Sequence, residues 1–180
     1  MVTHPSILLI EDSPGECELF RLALKQTDLD VVLYAELDAE AAFHFLEDRV
    51  HHHPFPSLIL LDLKLGRRNG CDFLKRLRAD ARFAAIPVVV FTTSDDQTDL
   101  AHCYASGANG YVVKPGTFDE LIHCTADICR YWLKWNLAPG SFMDTSTAIA
   151  DTLVRPAGSP LGRSTYCFKY ALYLLRRPSR

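Results

Sequence analysis
Nowhere in the 180 residues do 18 or more apolar side chains follow one another, so no transmembrane helix is expected. The N-terminus, Met1-Val2-Thr3-His4-Pro5, lacks a charged-then-apolar pattern, so no signal peptide is expected. There is no internal repeat. Six cysteines are present (Cys17, Cys71, Cys103, Cys124, Cys129 and Cys167), but none forms a Cys-x-x-Cys pair. They read as reduced thiols of a cytosolic protein, used as small apolar residues. Cys124 and Cys129 stand five apart on one helix, a poor geometry for a disulfide. Basic residues are in the minority over most of the chain. Residues 1–137 carry 13 Lys/Arg against 20 Asp/Glu, net -7, whereas residues 138–180 carry 6 against 2, net +4. The acidic first part argues against nucleic acid as its partner.

What is present is a regular alternation. Ile7-Leu8-Leu9-Ile10 reads as a first strand. Ser13-Pro14-Gly15-Glu16 is a capping box that opens a helix reaching about Gln26, with Leu19, Phe20, Leu22 and Ala23 as its apolar stripe. Val31 to Ala35 is a second strand. Asp38 caps a second helix with Ala41, Ala42, Phe45 and Leu46 inward. His51-His52-His53-Pro54-Phe55-Pro56 leads to the third strand, Ser57 to Leu61. Three consecutive histidines at a helix end point in different directions, so they read as a polar terminus and not as a metal site. Lys64 to Asn69 is a charged loop, and Gly70 to about Arg82 a third helix with Phe73, Leu74 and Leu77 inward. Val88 to Thr92 is the fourth strand. Ser94-x-x-Gln97 reads as a capping box for a helix that stops near Gly107. Tyr111 to Lys114 is the fifth strand. Thr117-x-x-Glu120 caps a last helix through Leu121, Ile122, Ile128, Trp132 and Leu133. Strand and helix alternate five times, which is an α/β fold with a parallel sheet.

Unbroken apolar strands are buried on both faces, and ligands of such sheets bind beyond the carboxyl ends. Glu11-Asp12 follows the first strand and Asp62 the third. Three acids in one crevice repel one another and call for a cation, and all-oxygen ligands suit Mg²⁺. Thr92 ends the fourth strand, Lys114 the fifth, and Pro115 follows directly.

Glu11-Asp12, Asp62, Thr92 and Lys114-Pro115 together resemble the receiver domain of two-component response regulators, over residues 5–137. The resemblance implies a doubly wound, five-stranded sheet of order 2-1-3-4-5 with five helices. It implies that Asp62 is the phosphoacceptor, attacking a phosphohistidine of a sensor histidine kinase. Glu11, Asp12 and Asp62, with the Lys64 carbonyl, would hold Mg²⁺, and Lys114 would contact the phosphoryl group. Thr92 would swing to the phosphate and Tyr111 follow as the switch aromatic. The Lys114-Pro115 peptide is a candidate for the cis form common in that family. The implied protein is a cytoplasmic signalling module and not an enzyme.

Ser57 to Leu65, Ile86-Pro87 through Ser94, and Arg130-Tyr131-Trp132-Leu133 are similar to small, single-domain regulators paired with phytochromes. That likeness implies a phytochrome kinase and a homodimer through the fourth and fifth helices and the fifth strand. Gly66 departs from the usual Pro and predicts a looser turn. Residues 138–180 have no counterpart there. They read as a linker-like basic tail, largely disordered, whose Tyr170 to Leu175 stretch is too short to span a membrane.

The same residues bear on other functions. Many Asp-nucleophile phosphatases carry a second acid two residues on, where Lys64 stands. A flavin module needs a hydroxyl-rich phosphate loop after the first strand, which Glu11-Asp12 opposes. A phosphorylation-independent scaffold usually lacks part of the constellation, which is complete here. An intermediate in a multistep phosphorelay uses the same residues and stays open.

Overall fold
The computed structural model describes residues 4–52, 54–66 and 68–137. Five strands form one parallel sheet: β1 (Ser6–Ile10), β2 (Val32–Glu36), β3 (Leu58–Leu61), β4 (Val88–Thr92) and β5 (Gly110–Val113). Their order across the sheet is β2-β1-β3-β4-β5, as the resemblance implies. The register pairs Ile10 with Leu61, Leu61 with Val90 and Thr92 with Val113, so the carboxyl ends of the four strands outside β2 lie side by side. All four residues of β3 and all five of β4 are buried, as uninterrupted apolar runs require.

Helices cover both faces. They are α1 (Pro14–Lys25), α2 (Ala39–His52), α3 (Gly70–Ala79), α4 (Gln97–Ala105) and α5 (Phe118–Arg130). The alternation of side chains along each strand divides the core in two. Leu8, Ile10, Ile59, Leu61, Val88 and Val90 pack with α2, α3 and α4 on one face. Ile7, Leu9, Leu58, Leu60, Val89 and Phe91 pack with α1 and α5 on the other.

Several local expectations shift. α1 buries Cys17, Phe20, Ala23 and Leu24, while Leu19 and Leu22 are exposed. The face is turned because Cys17, small enough to sit close to the sheet, begins the buried stripe. α2 buries Phe43, with Ala41 and Phe45 only partly covered, and it extends through His51 and His52. The expected loop after Asp62 contains a two-residue antiparallel ladder, Lys64–Leu65 with Arg68–Asn69. α3 ends at Ala79, and a turn then buries Phe83 completely. α4 is capped by Asp96, whose carboxylate accepts from Thr98 N at 2.6 Å, and not by Ser94. α5 gives way at Tyr131 to a π-helical turn closed by Asn136 N donating to Tyr131 O. Residues 138–180, with Cys167 and the expected tail, lie outside the described residues.

Candidate functional site
The first strand delivers Glu11 beyond Ile10, and Glu11 is 2% exposed. Its Oε1 accepts from Ser13 N at 3.0 Å, and its other carboxylate oxygen accepts from Lys114 Nζ. Burial pushes the Glu11 carboxyl above its ordinary value, against the lowering effect of Lys114. Asp12 is exposed, and its Oδ2 accepts from Gly66 N at 2.8 Å. Gly66 has φ +61°, a left-handed conformation that glycine adopts without strain. A proline here would lack the N–H that holds Asp12. The turn expected to be looser is instead tied to an acid of the site.

Asp62 follows β3 and is buried, with Oδ1 accepting from Leu63 N at 2.7 Å. The loop then folds tightly back on it. Gly70 N donates to Leu63 O at 2.9 Å, and a Cβ on Gly70 would lie 2.3 Å from the Asp62 carbonyl oxygen. Glycine at position 70 is therefore a steric requirement of the Asp62 loop. Oxygens of Glu11, Asp12 and Asp62 lie within 4.8 Å of one another.

Lys114 leaves β5 and crosses to these acids. Its Nζ donates to Glu11 and Glu16 and stands 3.6 Å from Asp62 Oδ2. Burial alone would lower the Lys114 pKa, but the two carboxylate hydrogen bonds and the Asp62 charge hold it above its ordinary value. Glu16 was expected only as part of a helix cap. Its backbone N does donate to Ser13 Oγ at 3.3 Å, but its carboxylate turns to Lys114 instead. Sequence spacing offered no sign of this, since the pair are 98 positions apart. A cleft of about 170 Å³ opens beside Lys114, walled by Phe20, Phe91, Pro115 and Leu121. The peptide before Pro115 is trans, as are all described peptides. The trans form is the ordinary preference of an X–Pro bond.

Thr92 is fully buried at the end of β4, and Lys114 N donates to its carbonyl at 2.7 Å. The Tyr111 hydroxyl donates to Ser94 O at 2.9 Å, in the segment that joins Thr92 to α4. Burial raises the Tyr111 pKa. The side chain of Lys64 is exposed on the first strand of the short ladder. The structure thus brings Glu11, Asp12, Asp62 and Lys114 together, with Thr92 and Tyr111 linked to them through the backbone of β4, β5 and the loop that follows Thr92.

These features have close counterparts in known proteins. The sequence profile of the response regulator receiver domain matches residues 7–126. The probable methanogenesis regulatory protein FilR2 of Methanothrix harundinacea is 35% identical, over 74% of this chain and 87% of its own. Response regulator Rcp1 of Synechocystis is 33% identical, over 75% of this chain and 93% of its own. The structure of the phosphorylated cyanobacterial phytochrome response regulator RcpA superimposes with a TM-score of 0.69 at 29% identity, covering 76% of this chain and 99% of that one. The Mn²⁺-bound form of Rcp1 gives 0.66 over 75% and 99%. With the fold, the acid cluster and the strand-end lysine in place, the chain belongs to the response regulator receiver domain family, and its work is that of a phosphoryl acceptor in two-component signalling.

Proposed function
We propose that Asp62 is the residue that accepts the phosphoryl group, from a phosphohistidine of a sensor histidine kinase. The observation that carries this is its position: a buried carboxylate 3.6 Å from Lys114 Nζ and within 4.8 Å of the oxygens of Glu11 and Asp12. In the reaction an Asp62 oxygen attacks phosphorus, the new O–P bond forms, the N–P bond breaks, and the histidine leaves. Lys114 supplies fixed positive charge where the phosphoryl oxygens arrive.

The acid cluster fits Mg²⁺. Glu11, Asp12 and Asp62 offer hard oxygen donors and more negative charge than Lys114 balances. These three, with the Lys64 backbone carbonyl, would hold the ion. Bound there, it would neutralise charge between the acids and the incoming phosphoryl group. Asp12, tied to Gly66 N, is already oriented for that task.

Thr92 and Tyr111 are read as the switch. A phosphoryl group on Asp62 draws the Thr92 hydroxyl toward it, and the Ser94 carbonyl that Tyr111 holds moves with the segment. The signal leaves through the surface of α4, β5 and α5. That surface is read as the homodimer face, since β5 is a sheet edge with Val113 exposed. Trp132, expected at that face, is partly buried. It packs on its own core and its Cζ2 lies 3.5 Å from a Cβ built at Gly110, whereas Trp135 is 77% exposed. The protein is read as a cytoplasmic signalling module of a bacterial phytochrome pathway, not a turnover enzyme. Residues 5–137 form its receiver and 138–180 a basic extension. No helix among the described residues is long and apolar enough to cross a membrane.

The test is phosphorylation by acetyl phosphate and by a panel of autophosphorylated kinases, phytochromes included. Wild type should take up one phosphate on Asp62, and Asp62→Asn none, with an unchanged circular dichroism spectrum. Normal labelling of Asp62→Asn would place the acceptor elsewhere.

A further inference from the structure
Two cysteines that the phosphoryl chemistry does not use meet inside the fold. Cys71 lies in the first turn of α3, where its backbone N donates to the Asn69 side chain at 2.9 Å. Cys103 is the only residue of α4 that is fully buried. Their sulfurs are 2.9 Å apart, and both residues are 2% exposed or less. Cys17, Cys124 and Cys129 belong to the opposite face of the sheet. The two thiols therefore stand together across the α3–α4 contact, apart from the other described cysteines.

We infer that Cys71 and Cys103 form a dithiol–disulfide site that bonds α3 to α4 when a peroxide oxidises the protein. A disulfide needs the sulfurs at roughly 2 Å, so closure from 2.9 Å asks for about 1 Å of movement. In the first step one sulfur attacks a peroxide oxygen. The S–O bond forms, the O–O bond breaks, and the departing hydroxide takes the thiol proton as water. The second sulfur then attacks the sulfenic sulfur. The S–S bond forms, the S–O bond breaks, and hydroxide leaves with the second thiol proton as water. Two thiols lose two electrons in all, and one hydrogen peroxide becomes two waters.

The position gives the bond a consequence. α3 begins at Gly70, whose N–H closes the Asp62 loop, so Cys71 is anchored beside the phosphoacceptor strand. α4 begins just after Ser94, whose Oγ donates to Asp99 Oδ2 at 2.6 Å and whose carbonyl holds Tyr111. A covalent tie at Cys103 would pin the helix that follows the switch segment. Burial raises the Cys103 thiol and keeps it unreactive while α4 is seated, so oxidation proceeds through the opening of α4.

The test treats the full chain with hydrogen peroxide, blocks remaining thiols with N-ethylmaleimide in denaturant, and maps the peptides by mass spectrometry. The expected result is a cross-linked pair carrying Cys71 and Cys103, reversed by dithiothreitol. In Cys71→Ala and Cys71→Ser, Cys103 should be recovered as its maleimide adduct. Recovery of both cysteines as separate adducts or acids in wild type, or joined to other cysteines, would overturn the site without any variant needing to fold. A second arm rests on the phosphoacceptor reading: hydrogen exchange of residues 97–105 with Mg²⁺ and acetyl phosphate. Oxidised protein should lose most of the phosphorylation-dependent change that reduced protein shows. An equal change in both would refute the pinning of α4, while failure of labelling in both would fault the phosphoacceptor reading and leave the mapped cross-link standing.

Discussion
The two ends of one parallel sheet solve opposite problems. At the carboxyl ends, Lys114 faces Glu11, Glu16 and Asp62, with Asp12 beside them, so negative charge is in excess. At the amino ends of β4 and β5, one cation is met by neutral acceptors alone. Arg78 donates from Nε to Gly107 O at 3.0 Å, from one terminal nitrogen to Ala84 O and Ile86 O at 3.1 and 2.9 Å, and from the other to Asn109 Oδ1 at 2.8 Å. Asn109 Oδ1 also accepts from Val88 N at 2.8 Å, which ties the bracket to the first residue of β4. Burial lowers the Arg78 pKa, yet guanidinium stays charged. The amino end sets four of the five guanidinium N–H groups on neutral acceptors and serves the fold. The carboxyl end keeps unbalanced charge, which is what a cation and a phosphoryl group can use.

The largest effect is expected where the Arg78 bracket is broken. Arg78→Ala removes four donors and leaves carbonyl oxygens and Asn109 short of partners. A loss of about 3 kcal/mol, roughly 10 °C in unfolding midpoint, follows from the cost of stranded buried acceptors. Phosphate uptake at low temperature should be nearly unchanged. A midpoint shift of under a degree would show that the bracket contributes nothing.

Next comes the acid end, where the proposed Mg²⁺ ligands would act together. Asp12→Ala should weaken Mg²⁺ binding by on the order of tenfold or more, since a hard cation with few protein ligands depends on each charge. Isothermal titration with Mg²⁺ reads this directly. The same affinity in wild type and mutant would remove Asp12 from the ion's ligands.

Much of this division is legible in the sequence. The apolar runs at 7–10, 58–61 and 88–92 read as buried strands, which places the acids at two of their ends in one crevice. Thr117 caps the last helix as its spacing suggests, with Glu120 N donating to Thr117 Oγ1 at 3.3 Å, while the Glu120 carboxylate accepts from the Thr117 hydroxyl at 2.9 Å and not from its backbone N. What stayed hidden depends on partners far away in the chain. Glu16 reads as an ordinary capping residue until Lys114 reaches it. Arg78 lies on a helix rich in basic residues, and nothing local marks it apart from Arg76. The start of α4 is the local exception: Ser94 and Asp96 both suit a cap, Asp96 takes that place, and the Ser94 hydroxyl donates to Asp99 in the first turn of the helix. Cys71 and Cys103 are 32 positions apart, a separation that holds no periodic signal.

A smaller effect of opposite sign to that of Arg78 tests whether the acid end opposes the fold. Asp62→Asn should stabilise the Mg²⁺-free protein by about 1 kcal/mol, because the repulsion it relieves at Glu11 and Asp12 outweighs the 3.6 Å attraction to Lys114, which stays paired with Glu11 and Glu16, while the amide can still accept from Leu63 N. Added Mg²⁺ should erase the gain. Chemical denaturation with and without the ion checks both halves, and destabilisation of the ion-free protein would contradict the account.

The smallest effect concerns how long a phosphate would stay on Asp62, the proposed acceptor. Hydrolysis needs water in line with the Asp62 oxygen. Two side chains border that approach by position: Lys64, two residues after Asp62, and Ser94, two residues after Thr92. Ser94 Oγ is engaged by Asp99 at 2.6 Å, so it is poorly placed to orient a water. Thr93 lines the cleft beside Lys114 and adds bulk at the opening. Lys64 is exposed at the start of the short ladder, and its flexible stem can bend over the phosphoryl group once charge there attracts it. An exposed ion pair of this kind contributes on the order of 0.5–1 kcal/mol, so its loss should speed hydrolysis by roughly two- to fivefold. Lys64→Ala should shorten the lifetime by that amount. Lys64→Asn should shorten it further, because an amide can hold the attacking water. The comparison is read from decay of labelled protein after removal of the donor. Equal lifetimes in all three would show that Lys64 stays in solvent, and that the slow or fast decay of the signal is set by the buried residues alone.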